Sequence, residues 1–350
     1  MTGPGPSGPW RGGQSRRPEP DRDATLRWRL ESAVVIGVLS SLCAVLLAAL
    51  VSPPLPAVEG PRIRVVGTVQ DGGLPHAACS CERCEAARRD PSRRRRVAAL
   101  AVVLPASGRV LLVDATPDVR EQLDLVRDLR RSPPGRVDRA PVDGVLLTHA
   151  HMGHYLGLAF FGFEAVDTRL LPVHSTPRLA GFLRGNAPWD QLVRLGNVEL
   201  VEHDPGLAFD LGEGVSATAL RVPHRDEYSD TVGYLLAGAR ARVLYVPDTD
   251  GWAGWQPPLT ERLQGVDVAI LDGTFFSLAE LPGRDVAAIG HPLVTQTMEL
   301  LQPLVDAGKL RVYFTHLNHS NPALDPASPE RREIERRGFA VLEEGEEIAL

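Results

Sequence analysis

Residues 142–154 carry the strongest structural signal in the chain and read Val-Asp-Gly-Val-Leu-Leu-Thr-His-Ala-His-Met-Gly-His. Their first part, Val142–Leu147, is a short apolar run, typical of a strand buried on both faces of a sheet. Three histidines then lie within six residues, directly after that strand. Packing rarely requires such a cluster, whereas neutral imidazole is a common ligand of transition metals. The segment therefore predicts a metal site at a strand end, with His149 and His151 pointing at one ion and His154 reaching a second.

Three further candidate ligands each follow an apolar, β-rich run. They are His224, Asp248 and His316, which come after Val215–Arg221, Arg242–Val246 and Leu310–Phe314. Each residue alone is a weak signal, but strand ends are where a sheet collects its ligands. Together the candidates comprise five histidines and one aspartate, which is enough for two metal positions.

The rest of the chain after residue 60 predicts an α/β domain over residues 61–350, without an internal repeat or a second boundary. Further strands are expected at Arg62–Val69, Val97–Leu104, Val110–Asp114, Leu170–Val173, Val198–Val201, Thr231–Leu236 and Val266–Leu271. Helices are expected at Pro117–Arg130, Thr176–Leu183, Thr260–Gln264, Pro292–Ala307 and Pro329–Arg336. Many strands with helices between some of them indicate two sheets covered by helices.

Composition narrows the class of partner. The 350 residues are 43% hydrophobic and 23% charged, as in an ordinary globular protein. The formal net charge of −6 argues against nucleic acid, since contacts to phosphates need a basic surface. We therefore expect a small-molecule substrate, and the oligomeric state is left open.

The N-terminal region differs in composition from the rest of the chain. Residues 1–30 are rich in Arg, Pro and Gly and are predicted to be disordered. Residues 31–52 contain the uncharged apolar run Ala33–Val51, whose length of about 19 residues spans roughly 28 Å as a helix. We interpret residues 31–52 as a transmembrane anchor or signal segment and residues 53–60 as a Pro-rich linker. A buried core helix is the alternative, but such a helix normally shows a polar stripe.

Charge predicts how this segment is oriented. Arginines precede it, among them Arg16, Arg17, Arg22, Arg27 and Arg29, and fewer basic residues follow. The positive-inside rule then keeps the N-terminus cytoplasmic and places the catalytic domain outside. The run is longer than an ordinary signal-peptide core and is followed by prolines, so a retained single-pass anchor is favoured over an exported and cleaved form.

Through these candidate ligands, the sequence resembles the metallo-β-lactamase superfamily, whose first motif is H-x-H-x-D-H. The resemblance implies an αββα sandwich. It also implies that His149, His151 and His224 hold one metal, that His154 and His316 hold another, and that Asp248 bridges the two. Gly153 stands where the family has its aspartate, so the second site is expected to bind metal more weakly. Asp226, Asp250 or Asp272 could supply the missing carboxylate.

A more specific resemblance, to the family of pyrroloquinoline quinone biosynthesis protein B, covers most of the predicted domain. Its motifs lie at residues 66–76, 79–84, 112–118, 271–275 and 316–322. That family generally lacks the full histidine motif present here, so the chain is interpreted as a relative with a more complete metal site. The resemblance implies a role in the biosynthesis of that cofactor as an alternative function.

The cysteines predict a separate metal site. Cys79, Cys81 and Cys84 offer three thiolates, and a tetrahedral structural zinc needs one more donor. A similar arrangement in the cyclic phosphodiesterase of phosphonate breakdown has a late histidine as its fourth ligand, which implies His319 here. The alternative is a disulfide plus one free thiol.

Two other features have competing interpretations. His291 resembles the late histidine that lies beside the metals in the superfamily and donates a proton or a hydrogen bond, but a helix-capping or solvated histidine explains it equally well. Gln70-Asp71-Gly72-Gly73 is compatible with a place at the rim of the site or with a plain glycine turn. His76, His174 and His203 have no supporting context and are interpreted as structural or surface residues.

The function that these features favour is that of a metal-dependent hydrolase. One or two catalytic ions, with Zn²⁺ favoured and Mn²⁺ or Fe²⁺ as alternatives, would make hydroxide available at neutral pH. Asp248 would orient it for attack on an ester, phosphodiester or amide, while His291 assists the leaving group. An iron-dependent oxygenase acting on a cofactor precursor and a non-catalytic binding or export protein are the other hypotheses.

Overall fold

The computed structural model describes residues 59–131, 139–280, 283 and 290–350. The predicted disordered N-terminus and the apolar run Ala33–Val51 lie outside these residues. Within the described part of the chain, no helix is both long and apolar enough to span a membrane.

Within the described residues, the strands form two seven-stranded sheets. The first has the order β14-β1-β2-β3-β4-β5-β6 and the second β13-β12-β11-β10-β9-β8-β7. The strands are β1 (Arg62–Gly67), β2 (Ala99–Leu104), β3 (Arg109–Val113), β4 (Gly144–Leu146), β5 (Leu171–Ser175), β6 (Val198–Glu202), β7 (Ala208–Gly212), β8 (Val215–Arg221), β9 (Val232–Ala237), β10 (Arg242–Val246), β11 (Val268–Asp272), β12 (Arg311–Thr315), β13 (Ala340–Val341) and β14 (Glu347–Ala349). Strands β3 to β6 are parallel, as are β10 to β13.

Helices cover the outer faces of both sheets. The α-helices are α1 (Glu82–Arg89), α2 (Val119–Val126), α3 (Met152–Tyr155), α4 (Pro177–Gly185), α5 (Trp189–Arg194), α6 (Leu259–Arg262), α7 (Val294–Asp306) and α8 (Pro329–Arg336). Short 3-10 helices lie at Pro91–Arg93, Arg127–Leu129, Leu156–Phe161, Leu278–Glu280 and Pro322–Leu324.

Side-chain alternation on β2 shows why the layers stack. Leu100, Val102 and Leu104 face the second sheet and pack with its residues, including Tyr234 and Tyr245. Their neighbours along β2 face the other way and pack with α2, α4 and α5. Strands with both faces buried read as continuous apolar runs, which makes them recognisable in the sequence. A matching apolar cluster joins the outer face of the second sheet to α6, α7 and α8.

The predicted αββα sandwich is thus confirmed, and most predicted elements lie within a few residues of the observed ones. The main differences are short elements that the sequence did not predict. Strand β7 is a half-exposed edge strand with an irregular register at Asp210 and Gly212, and it lacks an apolar run. Helix α1 is highly charged and buries only Cys84 and Ala87, so its apolar periodicity is too weak to detect.

Candidate metal centre

The candidate ligands meet at one end of the sandwich because each follows the carboxyl end of a strand. The segment His149–His154 follows β4 in the first sheet. The other three candidates follow strands of the second sheet: His224 comes after β8, Asp248 after β10 and His316 after β12. His316 has a φ of +60°, a backbone conformation uncommon for residues other than glycine. The two sheets therefore contribute ligands to one shared cleft.

Asp248 lies at the centre of this cleft and is almost fully buried. Its Oδ2 is 3.1 Å from His224 Nε2, 3.3 Å from His149 Nε2 and 3.7 Å from His154 Nε2. Burial would raise the pKa of this carboxyl, but contacts with His149, His151 and His224 outweigh it and hold the pKa well below its usual range. The carboxylate thus lies between the two ligand sets that the sequence predicts.

The first ligand set consists of His149, His151, His224 and Asp248, whose donor atoms all lie within 4.8 Å of one another. His151 Nδ1 and His224 Nε2 are 3.0 Å apart. Bonds of about 2.0–2.1 Å to one tetrahedral zinc would place two ring nitrogens roughly 3.4 Å apart. The spacing of these two nitrogens therefore fits shared coordination of one ion.

The second set joins His154 and His316 to a residue that the sequence did not single out as a ligand. Asp71 Oδ1 lies 3.6 Å from His154 Nε2 and 3.4 Å from His316 Nε2. The three donor atoms lie within 4.8 Å of one another. Burial would raise the pKa of Asp71, but contact with His316 and the charge of His154 lower it. Asp71 is therefore a carboxylate at neutral pH, beside two imidazoles.

Unpartnered buried atoms support a fit to metal ions. His149 Nε2, His154 Nε2 and Asp248 Oδ1 are buried and make no hydrogen bond to any described residue. A buried polar atom without a partner costs about 1–3 kcal/mol of folding free energy, so such atoms are expected to bind a ligand. Histidine and aspartate donors at these distances suit a divalent cation of the zinc class.

Supporting contacts orient the imidazoles from behind. Asp114 Oδ2 lies 2.7 Å from His154 Nδ1, and both side chains are fully buried. Burial alone would lower the pKa of His154, but Asp114 outweighs it and raises the pKa to about 9. Asp114 also accepts a hydrogen bond from the backbone N–H of Thr148 at 2.8 Å. This carboxylate therefore directs His154 Nε2 into the cleft, in the way that carboxylates orient ligating histidines elsewhere.

Other ligands have equivalent partners. His224 Nδ1 is 2.7 Å from Asp250 Oδ1, His151 Nε2 is 3.0 Å from Glu227 Oε2, and His316 Nδ1 is 2.9 Å from the hydroxyl of Thr274. Each pairing occupies one ring nitrogen and leaves the other facing the cleft. Sequence reasoning did not find these partners, because each lies far from its histidine along the chain.

His291 also lies at the cleft. Its Nδ1 is 2.8 Å from Asp272 Oδ2 and 3.5 Å from Asp248 Oδ1. Burial would lower its pKa, but Asp272 raises the pKa to about 9. The N-cap of helix α7 is Leu293, so the helix-capping interpretation of His291 does not hold.

Of the three carboxylates proposed to compensate for Gly153, Asp272 belongs to a further donor group with Asp248, His291 and His316, whereas Asp226 and Asp250 belong to no donor group among the described residues. Asp250 contacts His224, Asp272 contacts His291, and the exposed Asp226 contacts Thr231 and Arg178. None of them belongs to the group formed by Asp71, His154 and His316. The carboxylate beside His154 comes instead from the glycine turn at residues 70–73.

The cysteine cluster is a second, separate group of donors. Cys79, Cys81, Cys84 and His319 offer atoms that all lie within 4.8 Å of one another, and the three thiols are free. Backbone N–H groups point at two of the sulfurs, from His76 to Cys84 at 3.3 Å and from Cys81 to Cys79 at 3.4 Å. Burial raises the pKa of Cys84 to about 12, so a cation is needed to hold it as a thiolate. The geometry fits a closed zinc site better than a disulfide.

Of the histidines without an assigned role, one lies at this cluster and two lie elsewhere. His76 contacts His319, with ring centroids 4.3 Å apart and the ring planes tilted by 42°. His174 and His203 pair with each other at 2.9 Å and stack on Phe209. Neither of the last two belongs to a donor group among the described residues.

Comparison with known proteins agrees with this fold. The family described as "Beta-lactamase superfamily domain" matches residues 109–317, which is more than half of the chain. The chain therefore belongs to the β-lactamase superfamily.

Within that superfamily, the chain is similar to coenzyme PQQ synthesis protein B. It is 30% identical over 314 residues to the protein of that name from Rhizobium meliloti, covering 83% of this chain and 98% of that protein. It is 27% identical over 307 residues to one from Methylorubrum extorquens, covering 81% of this chain and 98% of that protein. The resemblance found in the sequence is thus confirmed.

Solved structures show the same fold. Zn²⁺-bound PqqB from Methylobacterium extorquens matches with a TM-score of 0.70 and 24% identity, over 83% of this chain and 100% of that chain. A diphosphatase from the PhnP family matches with a TM-score of 0.58 and 21% identity, over 82% of this chain and 96% of that chain.

Proposed function

We propose that this protein is a metal-dependent hydrolase that cleaves an ester, phosphodiester or amide bond. The observation that carries the proposal is the position of Asp248 Oδ2, within 3.7 Å of His149, His154 and His224 at the centre of the cleft. His149, His151 and His224 would hold one ion and His154 and His316 the other, with Asp248 between them. Ions held in this way act as Lewis acids and make hydroxide available near neutral pH.

The remaining groups of the cleft have roles that follow from their contacts. Asp248 Oδ1 is buried without a hydrogen-bond partner among the described residues, so it can accept a hydrogen bond from the attacking nucleophile and orient it. Asp272 occupies His291 Nδ1, which leaves Nε2 as the nitrogen that can pass a proton to the leaving group. Asp250 and Glu227 hold the rings of His224 and His151 in place.

The test is turnover by the zinc-loaded full-length protein against a panel of phosphodiesters, lactones and β-lactams. We expect hydrolysis of at least one class, and we expect Asp248→Asn to reduce kcat by about 100-fold or more, since even partners behind the ligands affect activity 10–100-fold. Asp226→Asn is the matched control, because this exposed carboxylate contacts Thr231 and Arg178 and belongs to no donor group among the described residues. Absence of hydrolysis throughout the panel, or equal turnover in both variants, would contradict the proposal.

An iron-dependent oxygenase with a role in cofactor biosynthesis is the second candidate. His154, His316 and Asp71 offer two imidazoles and one carboxylate, the donor set of many iron(II) oxygenases. The name of the relatives, coenzyme PQQ synthesis protein B, points to the same kind of pathway. Metal analysis of the protein as purified separates the two candidates: zinc with hydrolysis supports the first, and iron with oxygen uptake supports the second.

We also propose that residues 31–52 anchor the protein as a single span, with the N-terminus in the cytoplasm and the catalytic domain outside. The support is the uncharged run Ala33–Val51 and the arginines before it. Full-length protein should remain in the membrane fraction after a carbonate wash, and protease added from the outer side should digest the domain. Replacing Leu46 and Leu47 by arginine should release the protein. Recovery of the unaltered protein in the cytosol would contradict this topology.

A further inference from the structure

Gly153 has no conformational reason to be a glycine. It lies in helix α3 and is not among the described residues with a positive φ. Any L-residue could adopt its backbone, so the absence of the aspartate found in the superfamily motif needs another cause.

Steric exclusion by Asp71 supplies that cause. A Cβ built on Gly153 would overlap the Asp71 carboxylate and would lie 2.9 Å from the Asp71 Cβ. Real Cβ atoms do not approach other heavy atoms so closely, so the space into which an aspartate at position 153 would project is already filled by another aspartate. The overlap involves both the carboxylate of Asp71 and its Cβ.

The loop that carries Asp71 is fixed close to the other ligands. The N–H of Gln70 donates to the carbonyl of Leu317 at 3.0 Å, directly after His316 in the chain. Val69 forms an isolated bridge with the same Leu317. The N–H of Gly73 donates to the carbonyl of Gln70 at 2.9 Å and closes the turn. Asp71 therefore enters the cleft from a turn that is paired with the segment of His316.

We infer that Asp71 is the carboxylate ligand of the second metal position and replaces the aspartate that the superfamily motif carries at the position of Gly153. The donor has moved from the histidine motif to a turn about eighty residues earlier, and the glycine is what makes room for it. This inference rests on the metal centre of the proposed function, but it concerns which residue binds the ion and not which bond is cleaved.

The same geometry excludes the simpler view of residues 70–73 as a plain glycine turn. A turn needs its glycines but does not need an aspartate whose Oδ1 lies within 3.6 Å of two buried imidazole nitrogens. One of these nitrogens, His154 Nε2, has no hydrogen-bond partner among the described residues. A cation bound by both imidazoles and the carboxylate would satisfy all three groups.

The experiment measures zinc binding by the full-length protein, by elemental analysis at buffered free zinc and by competition with a chromophoric chelator. We expect Asp71→Asn, which keeps the shape but removes the charge, to weaken one cleft ion by about tenfold or more. Zinc at the cysteine cluster should remain and serves as an internal reference. Gly153→Asp alone should bind no more tightly than the parent, because two carboxylates then compete for one space.

The decisive variant moves the carboxylate from position 71 to position 153. Asp71→Ala should lose one equivalent of zinc, and Asp71→Ala combined with Gly153→Asp should regain it, since the carboxylate then returns to the place it has in the superfamily motif. Asp226→Asn is the control and should bind as the parent does. The inference is overturned if Asp71→Asn binds zinc like the parent, or if Gly153→Asp alone tightens binding.

These readouts do not depend on turnover. If no hydrolysis is found but Asp71→Asn releases zinc, the proposed function fails and the assignment of Asp71 stands. If hydrolysis is found and Asp71→Asn keeps its zinc, the proposed function stands and the assignment of Asp71 fails.

Discussion

Cys84→Ser is expected to remove one equivalent of zinc and to lower the melting temperature by on the order of 10 °C. The binding free energy of a structural zinc is folding free energy, and apparent values in small domains reach about 10–16 kcal/mol. The cluster also joins two distant segments, since Cys79, Cys81 and Cys84 meet His319. Even a loss of about 5 kcal/mol would shift melting by roughly 10 °C in a domain of this size. Calorimetry and elemental analysis of the purified protein measure both effects.

Cys43→Ala is the matched control for this prediction. Cys43 lies in the apolar segment that precedes the domain, away from the other cysteines in the sequence. Its replacement should leave the zinc content and the melting temperature unchanged. Unchanged zinc content in Cys84→Ser would refute the structural zinc site and would favour the disulfide alternative.

His149→Ala is expected to reduce turnover by at least about 100-fold, while its melting temperature stays within a few degrees of the parent. These effects are the opposite of those expected for Cys84→Ser, which acts on stability. The ring is buried and its Nε2 lies 3.3 Å from Asp248 Oδ2, so its loss removes a donor from the first ligand set. The sandwich core between the sheets does not include this ring. Initial rates, cleft metal content and calorimetry test the separation.

His316 and His319 lie three residues apart in the sequence and provide a further test of the contrast between loss of turnover and loss of stability. His316 faces the cleft beside Asp71, whereas His319 joins the cysteine cluster. His316→Ala should therefore behave like His149→Ala, and His319→Ala should behave like Cys84→Ser. If both variants fall into the same class, the assignment of the two histidines to different metals is wrong.

The fold was largely predictable because its strands are buried on both faces and read as apolar runs. Val142–Leu147 and Val266–Leu271 are examples, and they correspond to β4 and β11. The elements that were missed owe their structure to pairing partners instead. β14 is three residues long and is defined by its register with β1, which lies at the other end of the domain in sequence. No local pattern could show such a pairing.

The residues of the candidate site also fall into two groups, those that a local sequence pattern revealed and those that it did not. Its histidines were identifiable because they follow strands and cluster at motif spacing. Asp71 and Asp114 were not, because their roles depend on distances to His154 across the fold, 3.6 Å and 2.7 Å respectively. The glycines after Asp71 made the turn the simpler interpretation of that segment. The one local clue was Gly153, whose departure from the superfamily motif signals that a donor must come from elsewhere.

Anomalous diffraction at the zinc absorption edge, from crystals of the zinc-loaded full-length protein, would locate every ion and so test whether the cleft is a two-metal centre. We expect one peak at the cysteine cluster and two peaks in the cleft, about 3.5–4 Å apart, with the Asp248 carboxylate between them. The peak on the side of His154 and His316 should also contact Asp71. A single peak in the cleft, or two peaks with Asp248 bound to neither, would contradict the two-metal centre.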